Sequence, residues 1–131
     1  MGDEPQRVKQ VIVIRHDLKM RRGKQIAQAS HASMSFIVRR LQEVGSVSLD
    51  DFSDVERSWL RGAFAKICCR VNSEDELMNI HDKAIAAGLE VHLITDSGKT
   101  EFHGVPTSTC VAIGPDVAEK IDPLTGNLEL L

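Results

Sequence analysis

Two short polar segments of this 131-residue chain hold side chains suited to hydrolytic chemistry. The first, Arg15 to Lys24, carries Arg15, Lys19, Arg21, Arg22 and Lys24 against the single anion Asp17. A cluster of this kind can neutralise phosphates, whereas the overall net charge of −3 argues against a protein that coats nucleic acid over its whole surface. The second segment, Asp96-Ser97-Gly98-Lys99-Thr100, sets a carboxylate, a flexible glycine, an ammonium and a hydroxyl close together. A carboxylate can orient or deprotonate water, and an ammonium can stabilise an oxyanion as it develops. The same residues also make an ordinary turn.

Gly23-Lys24 stands where a helix begins, and the free N–H groups of a helix start attract anions. The spaced glycine of a Walker loop is missing, so a nucleotide-hydrolysing reading has this pair alone to rest on. Imidazole is a common general base, but His31, as a lone helical histidine, reads as a site-lining residue rather than a base. The chain has no Gly-x-Ser-x-Gly elbow, no His-x-x-x-His pair and no aromatic-rich strand on which to stack bases. Trp59 and the four phenylalanines read as core.

The elements that must hold these segments follow from periodicity. Val8 to Ile14 is a β-branched strand that runs into the first polar loop. Lys24 to Glu43 is helical, with Ala27, Met34, Val38 and Leu41 on one face, flanked by Ile26, Ala29 and Ile37. Lys24, Gln28, His31 and Ser35 form a polar stripe on its other side, placed to line a site. Gly45 to Asp51 reads as a loop. Ser53 with Glu56 predicts a capped short helix through Trp59 and Leu60 that ends at Gly62, and Ala65 to Val71 predicts a second strand. Ser73 with Glu76 opens a helix over Glu74 to Ala87, with Gly88 suited to the left-handed position after it. Val91 to Ile94 and Ser108 to Ile113 are the third and fourth strands, with the second polar loop between them. Pro115 reads as the start of a short helical turn, followed by a loop from Leu124 to Asn127, and the terminal Leu128, Leu130 and Leu131 are expected to pack on the body.

This order predicts an α/β/α sandwich built on a four-stranded mixed sheet flanked by helices, in one domain over residues 1–131 with residues 1–7 flexible. An apolar share of 42% and a charged share of 27% fit a globular protein. No apolar run approaches the ~20 residues of a membrane span, and the polar start has no signal-peptide core, so a cytoplasmic, membrane-free protein is expected. Cys68 and Cys69 are strand neighbours that point to opposite faces and Cys110 stands alone, which predicts buried reduced thiols rather than a disulfide or zinc pattern.

With the loops placed, the chain resembles the peptidyl-tRNA hydrolase 2 family from Val11 to the C-terminus. Three stretches carry the resemblance: Val11 to Met20 running into Gly23-Lys24 and on to His31; Ile94-Thr95-Asp96 with Gly98 and Thr100; and Thr109 to Gly114-Pro115, with Thr125-Gly126 beyond. It implies a mixed four-stranded sheet, commonly in a homodimer, that hydrolyses the ester of peptidyl-tRNA in translation without an organic cofactor, and no metal site is expected from the residues. Lys24, Asp96, Thr100 and Thr109 map onto the family's catalytic positions, and Gln28 and His31 match beside them as substrate-binding residues. Arg15, Lys19, Arg21, Arg22 and Lys99 supply cations for the tRNA. The chain departs from the pattern at Glu101, where the family usually has Gln, at Val105-Pro106, where it has Pro-Gly, and at Arg21 and Arg22, where it has small residues. The alternative reading is a relative that kept the fold and lost turnover, serving as a tRNA-binding or protein-interaction module.

Overall fold

The computed structural model describes residues 7–99 and 102–131. Thr100 and Glu101, and all but the last residue of the 1–7 segment, lie outside the described residues. A four-stranded sheet of order β2-β1-β4-β3 organises the rest. β1 (Val8–Arg15) lies inside the sheet, parallel to β2 (Lys66–Val71) and antiparallel to β4 (Thr107–Val117). β3 (Val91–Asp96) pairs antiparallel with β4 and forms one edge. The run from Gln10 to Arg15 is buried throughout, because β1 is covered on both faces. Val11 and Val13 meet Leu77, Ile80 and Ile121 on one side, while Ile12 and Ile14 meet Met20 and Ala32 on the other.

On the Ile12 face lie α1 (Arg22–Val44) and α2 (Asp54–Arg61), joined through a short 3-10 turn at Leu49–Asp51. On the opposite face lie α3 (Glu74–Ala86) and α4 (Ala118–Thr125). The expected α/β sandwich is therefore present. The caps behave as their sequences require: the Ser53 hydroxyl accepts from the Glu56 N–H at 3.1 Å while Glu56 accepts from the Ser53 N–H at 2.8 Å. At α3, Ser73 accepts from the Glu76 N–H at 3.0 Å, but Glu76 reaches back to the N–H of Asn72 instead. Gly88 takes φ +76° after α3.

Several expectations are corrected. α1 buries Gln28, Ala32, Ser35 and Phe36, and leaves Ile26 and Met34 60% and Leu41 46% exposed, with Ala27 outside as well. The side chosen is the one that meets the sheet, where Ala32 allows close approach and Gln28 finds a buried partner. Gln28 and Ser35 of the polar stripe are thus turned inward while His31 stays exposed, and an apolar stripe faces out. Trp59, Phe36 and Phe52 are core, but Phe64 is 44% exposed. β4 runs past Ile113 to Val117, and α4 begins only at Ala118 and takes in Leu124. Pro115, which has no N–H to pair, sits opposite the register shift between Lys9 and Val11, where the ladder is already interrupted.

At the C-terminus Leu128 joins the core, whereas Leu130 and Leu131 stay 69% and 45% exposed. Their backbone pairs with the outer edge of β2: the Arg70 N–H donates to the Glu129 carbonyl at 2.9 Å, and the Leu131 N–H to the Cys68 carbonyl at 3.0 Å. Cys69 and Cys110 are buried, Cys68 is half-buried, and all three are free thiols. Burial pushes the Cys110 thiol up to about 11. Among the described residues, no helix is long and apolar enough to cross a membrane.

Candidate active site

The ends of β1 and β3 and the start of α1 meet at one corner of the molecule. Lys24 stands in the first turn of α1 and Asp96 closes β3, and their side chains join as an ion pair with Lys24 Nζ 2.7 Å from Asp96 Oδ1. Both are largely sheltered, with side-chain exposures of 17% and 12%. The second oxygen of Asp96 accepts the Gly98 N–H at 2.9 Å. The hydrogen bond from Lys24, then that from Gly98, holds the Asp96 carboxyl below the usual aspartate range. It is accordingly a carboxylate at neutral pH and a weak proton acceptor.

Gly98 is required by the shape of this turn. It takes φ +82°, and a Cβ there would stand 2.2 Å from the Val105 carbonyl oxygen. The Gly104 N–H donates to the Gly98 carbonyl at 2.9 Å, tying the start of the second polar loop to its end.

One turn beyond Lys24, the buried Gln28 accepts at Oε1 from the hydroxyl of Thr109, which is itself fully buried in β4. The same hydroxyl lies 3.4 Å from the Ile94 carbonyl of β3, and the Cys110 thiol donates to the Gln28 carbonyl at 3.4 Å. This network links α1, β3 and β4 directly behind the Lys24–Asp96 pair. With its oxygen engaged by Thr109, Gln28 has its NH₂ as the group able to donate elsewhere.

The remaining residues expected at the site divide. Lys19, Arg21 and Arg22 are exposed around the entrance to α1, as is Lys99 in the second loop, and His31 is exposed two turns along the helix from Lys24. Positive partial charge from the free N–H groups of the α1 start, which has no acidic residue in its first turn, adds to these cations. Arg15 is different. It is 8% exposed, grips Asp17 through two nitrogens at 3.2 and 2.7 Å, donates to the Ser108 carbonyl at 3.2 Å and lies 3.8 Å from Glu74. Thr100 falls outside the described residues.

Sequence reasoning missed Asp17 as the partner of Arg15, and the carbonyls of Ile94 and Ser108, which as backbone acceptors carry no residue-type signal. It also missed a groove of about 360 Å³ between α1 and β3, lined by His31, Met34, Ser35, Val38, Arg39, Gln42 and residues 93–95. Among the described residues, no group of three or more His, Cys, Asp or Glu is placed to hold a metal ion.

Comparison with known proteins places this geometry in context. The model of the family described as peptidyl-tRNA hydrolase PTH2 matches residues 8–131. A peptidyl-tRNA hydrolase of Methanocaldococcus jannaschii is 41% identical over 125 residues, covering 95% of this chain and all of the relative. Peptidyl-tRNA hydrolases of Methanothermobacter thermautotrophicus and Sulfolobus acidocaldarius are 42% and 35% identical, each over 124 residues with the same coverage. A solved structure of a protein of unknown function from Agrobacterium tumefaciens, with TM-score 0.55 and 12% identity, covers 95% of this chain and 97% of its own, and shares the fold.

Proposed function

The chain belongs to the peptidyl-tRNA hydrolase PTH2 family and is an enzyme that hydrolyses peptidyl-tRNA, and we propose that it does so at the corner where Lys24 meets Asp96. The observation that carries this assignment is the sheltered 2.7 Å pair between side chains 72 residues apart, a contact that only the assembled fold can make. Asp96, already ionised, accepts a hydrogen bond from water and aims its lone pair at the ester carbonyl. Lys24 Nζ, with the NH₂ of Gln28, faces the carbonyl oxygen as negative charge builds on it. Water adds to the carbonyl carbon, the carbon–oxygen bond to the ribose breaks, one water proton passes to the ribose oxygen and the other is released to solvent, and peptide carboxylate and free tRNA leave. Thr109, buried and bonded to Gln28, acts as a positioning residue. Thr100 keeps the role its place in the motif implies.

The exposed Lys19, Arg21, Arg22 and Lys99 surround this corner and suit the phosphates next to the scissile ester, so tRNA binding is placed there. Arg15 is reserved for Asp17 and the Ser108 carbonyl, and serves to hold β4. The outward apolar stripe of α1 opens on a groove of about 470 Å³ lined by Ile26, Met34, Ile37, Trp59 and Phe64, a surface suited to a second copy of the chain. A single domain working in the cytoplasm completes the reading.

The deciding experiment compares release of tRNA from N-acetylaminoacyl-tRNA with release from free aminoacyl-tRNA, using wild type and Asp96→Asn. Wild type cleaves the blocked ester and spares the free one, and the variant falls by about 10²-fold or more, a size typical of losing a group that handles the attacking water. A folded Asp96→Asn enzyme with wild-type turnover would remove Asp96 from the site.

A further inference from the structure

The two edges of the sheet are treated differently. On β2 the outer edge is taken up by the C-terminal segment, through the Arg70–Glu129 and Leu131–Cys68 backbone bonds. On β3, among the described residues, no strand pairs with the outer edge. An uncovered edge presents backbone N–H and C=O groups ready to pair with another extended chain. This edge borders the groove between α1 and β3, and Thr95, which lines the groove, directly precedes Asp96. On the helix side, the lining begins at His31, one turn beyond Gln28, and continues through Val38 to Gln42.

We infer that this groove holds the peptide part of the substrate, bound as an added strand along the outer edge of β3 with its ester carbonyl delivered to Lys24 and Asp96. The inference rests on the catalytic reading above and extends it to the chain upstream of the ester. Two observations and one chemical argument favour a peptide here over the terminal nucleotides. The exposed cations Lys19, Arg21, Arg22 and Lys99 gather at the Lys24 end, where the polyanion is drawn, and the groove leads away along α1. Its walls mix Met34, Val38 and Leu93 with Ser35, Gln42 and Thr95, carry His31 and Arg39 on the helix side, and contain no Phe, Tyr or Trp to serve as a broad stacking platform for bases. Backbone pairing with a strand edge is indifferent to side chains, as an enzyme acting on peptides of any sequence needs. From His31 to Gln42 the helix rises about 16 Å, enough for roughly four or five extended residues.

The test measures kcat/KM for N-acetylaminoacyl-tRNA and for N-acetyltetrapeptidyl-tRNA on the same tRNA body, in wild type and in Val38→Trp, which fills the groove. Wild type favours the longer substrate by about tenfold, the effect of two modest hydrogen bonds, and Val38→Trp brings the ratio close to one. In an independent measurement on the unmodified protein, N-acetyltetraalanine added to isotope-labelled enzyme shifts the backbone amides of 93–95 and 38–42, while deacylated tRNA shifts those of 19–24. A wild-type enzyme that cleaves both esters at equal kcat/KM overturns the groove assignment and leaves the catalytic reading standing. Shifts at 93–95 caused by tRNA and not by peptide also overturn it, and give the groove to the terminal nucleotides. A wild-type enzyme that spares both esters overturns the catalytic reading itself.

Discussion

At the scale of single residues, the proposed site is built of pairs whose members change each other. Asp96 owes its low pKa first to Lys24, so its carboxylate survives well into acid, and the part of stability or turnover that depends on the charge is present at neutral pH and lost as pH falls through that lowered value. Lys24→Ala removes the largest cause. The midpoint of Asp96 titration, followed by the chemical shift of its carboxyl carbon, is expected to move up toward the ordinary aspartate range in that variant, and an unmoved midpoint would mean that the pair does not form in solution. Thr109 offers a second test because it is fully buried and cannot meet the substrate directly. Thr109→Val keeps the shape but leaves the Gln28 oxygen without its donor, at a cost of about 1–3 kcal/mol, and kcat is expected to fall about tenfold with KM little changed. Thr109→Ser restores the hydroxyl and with it the rate, a rescue that simple loss of packing would not show.

At the scale of elements, the decisive parts are the β3–β4 loop and the first helix. Gly98 is held at φ +82° against the backbone of Val105, so Gly98→Ala must displace one side of the loop or the other. Because the Gly98 N–H also fixes Asp96, the expected result is a loss of turnover of about 10²-fold with only a modest fall in melting temperature, read by single-turnover hydrolysis and thermal melting on one sample. A fully active Gly98→Ala enzyme would show that the loop geometry is dispensable. In α1, Gln28 and Ser35 face inward and Ile26 and Met34 outward, the reverse of what polarity alone suggests. The inward side is reserved for the site network and the groove, and the outward side supplies an apolar surface.

At the scale of the whole molecule, charge is separated rather than abundant. The net charge of −3 repels a polyanion at most approaches, while the exposed Lys19, Arg21, Arg22 and Lys99 make the corner proposed for tRNA locally cationic. The affinity for tRNA is therefore expected to fall steeply with salt, and the double change of Arg21 and Arg22 to Ala to flatten the plot of log affinity against log salt by about one to two units. Arg15→Ala is expected to leave that slope alone and to lower the melting temperature instead, because its guanidinium is spent on Asp17 and the Ser108 carbonyl. A slope unchanged in the double variant would move the tRNA surface away from the start of α1.

The sequence by itself determined the elements and their order, because period-two and helical patterns, the Ser53 and Ser73 caps and Gly88 are local signals that need no distant partner. Through the motifs around Lys24, Asp96 and Thr109 it also pointed to the family and to the residues of the proposed site. Tertiary structure decided which face of α1 is buried, since two stripes of that helix have comparable spacing and only contact with β3 and β4 selects between them. It set Arg15 against Asp17 and the Ser108 carbonyl, contacts that a count of charges along the chain cannot show. It joined Lys24 to Asp96 and Gln28 to Thr109 across 72 and 81 residues, and left the outer edge of β3 open beside them. Those contacts depend on the strand order β2-β1-β4-β3, which pairs segments far apart in the chain and is not encoded in any local pattern.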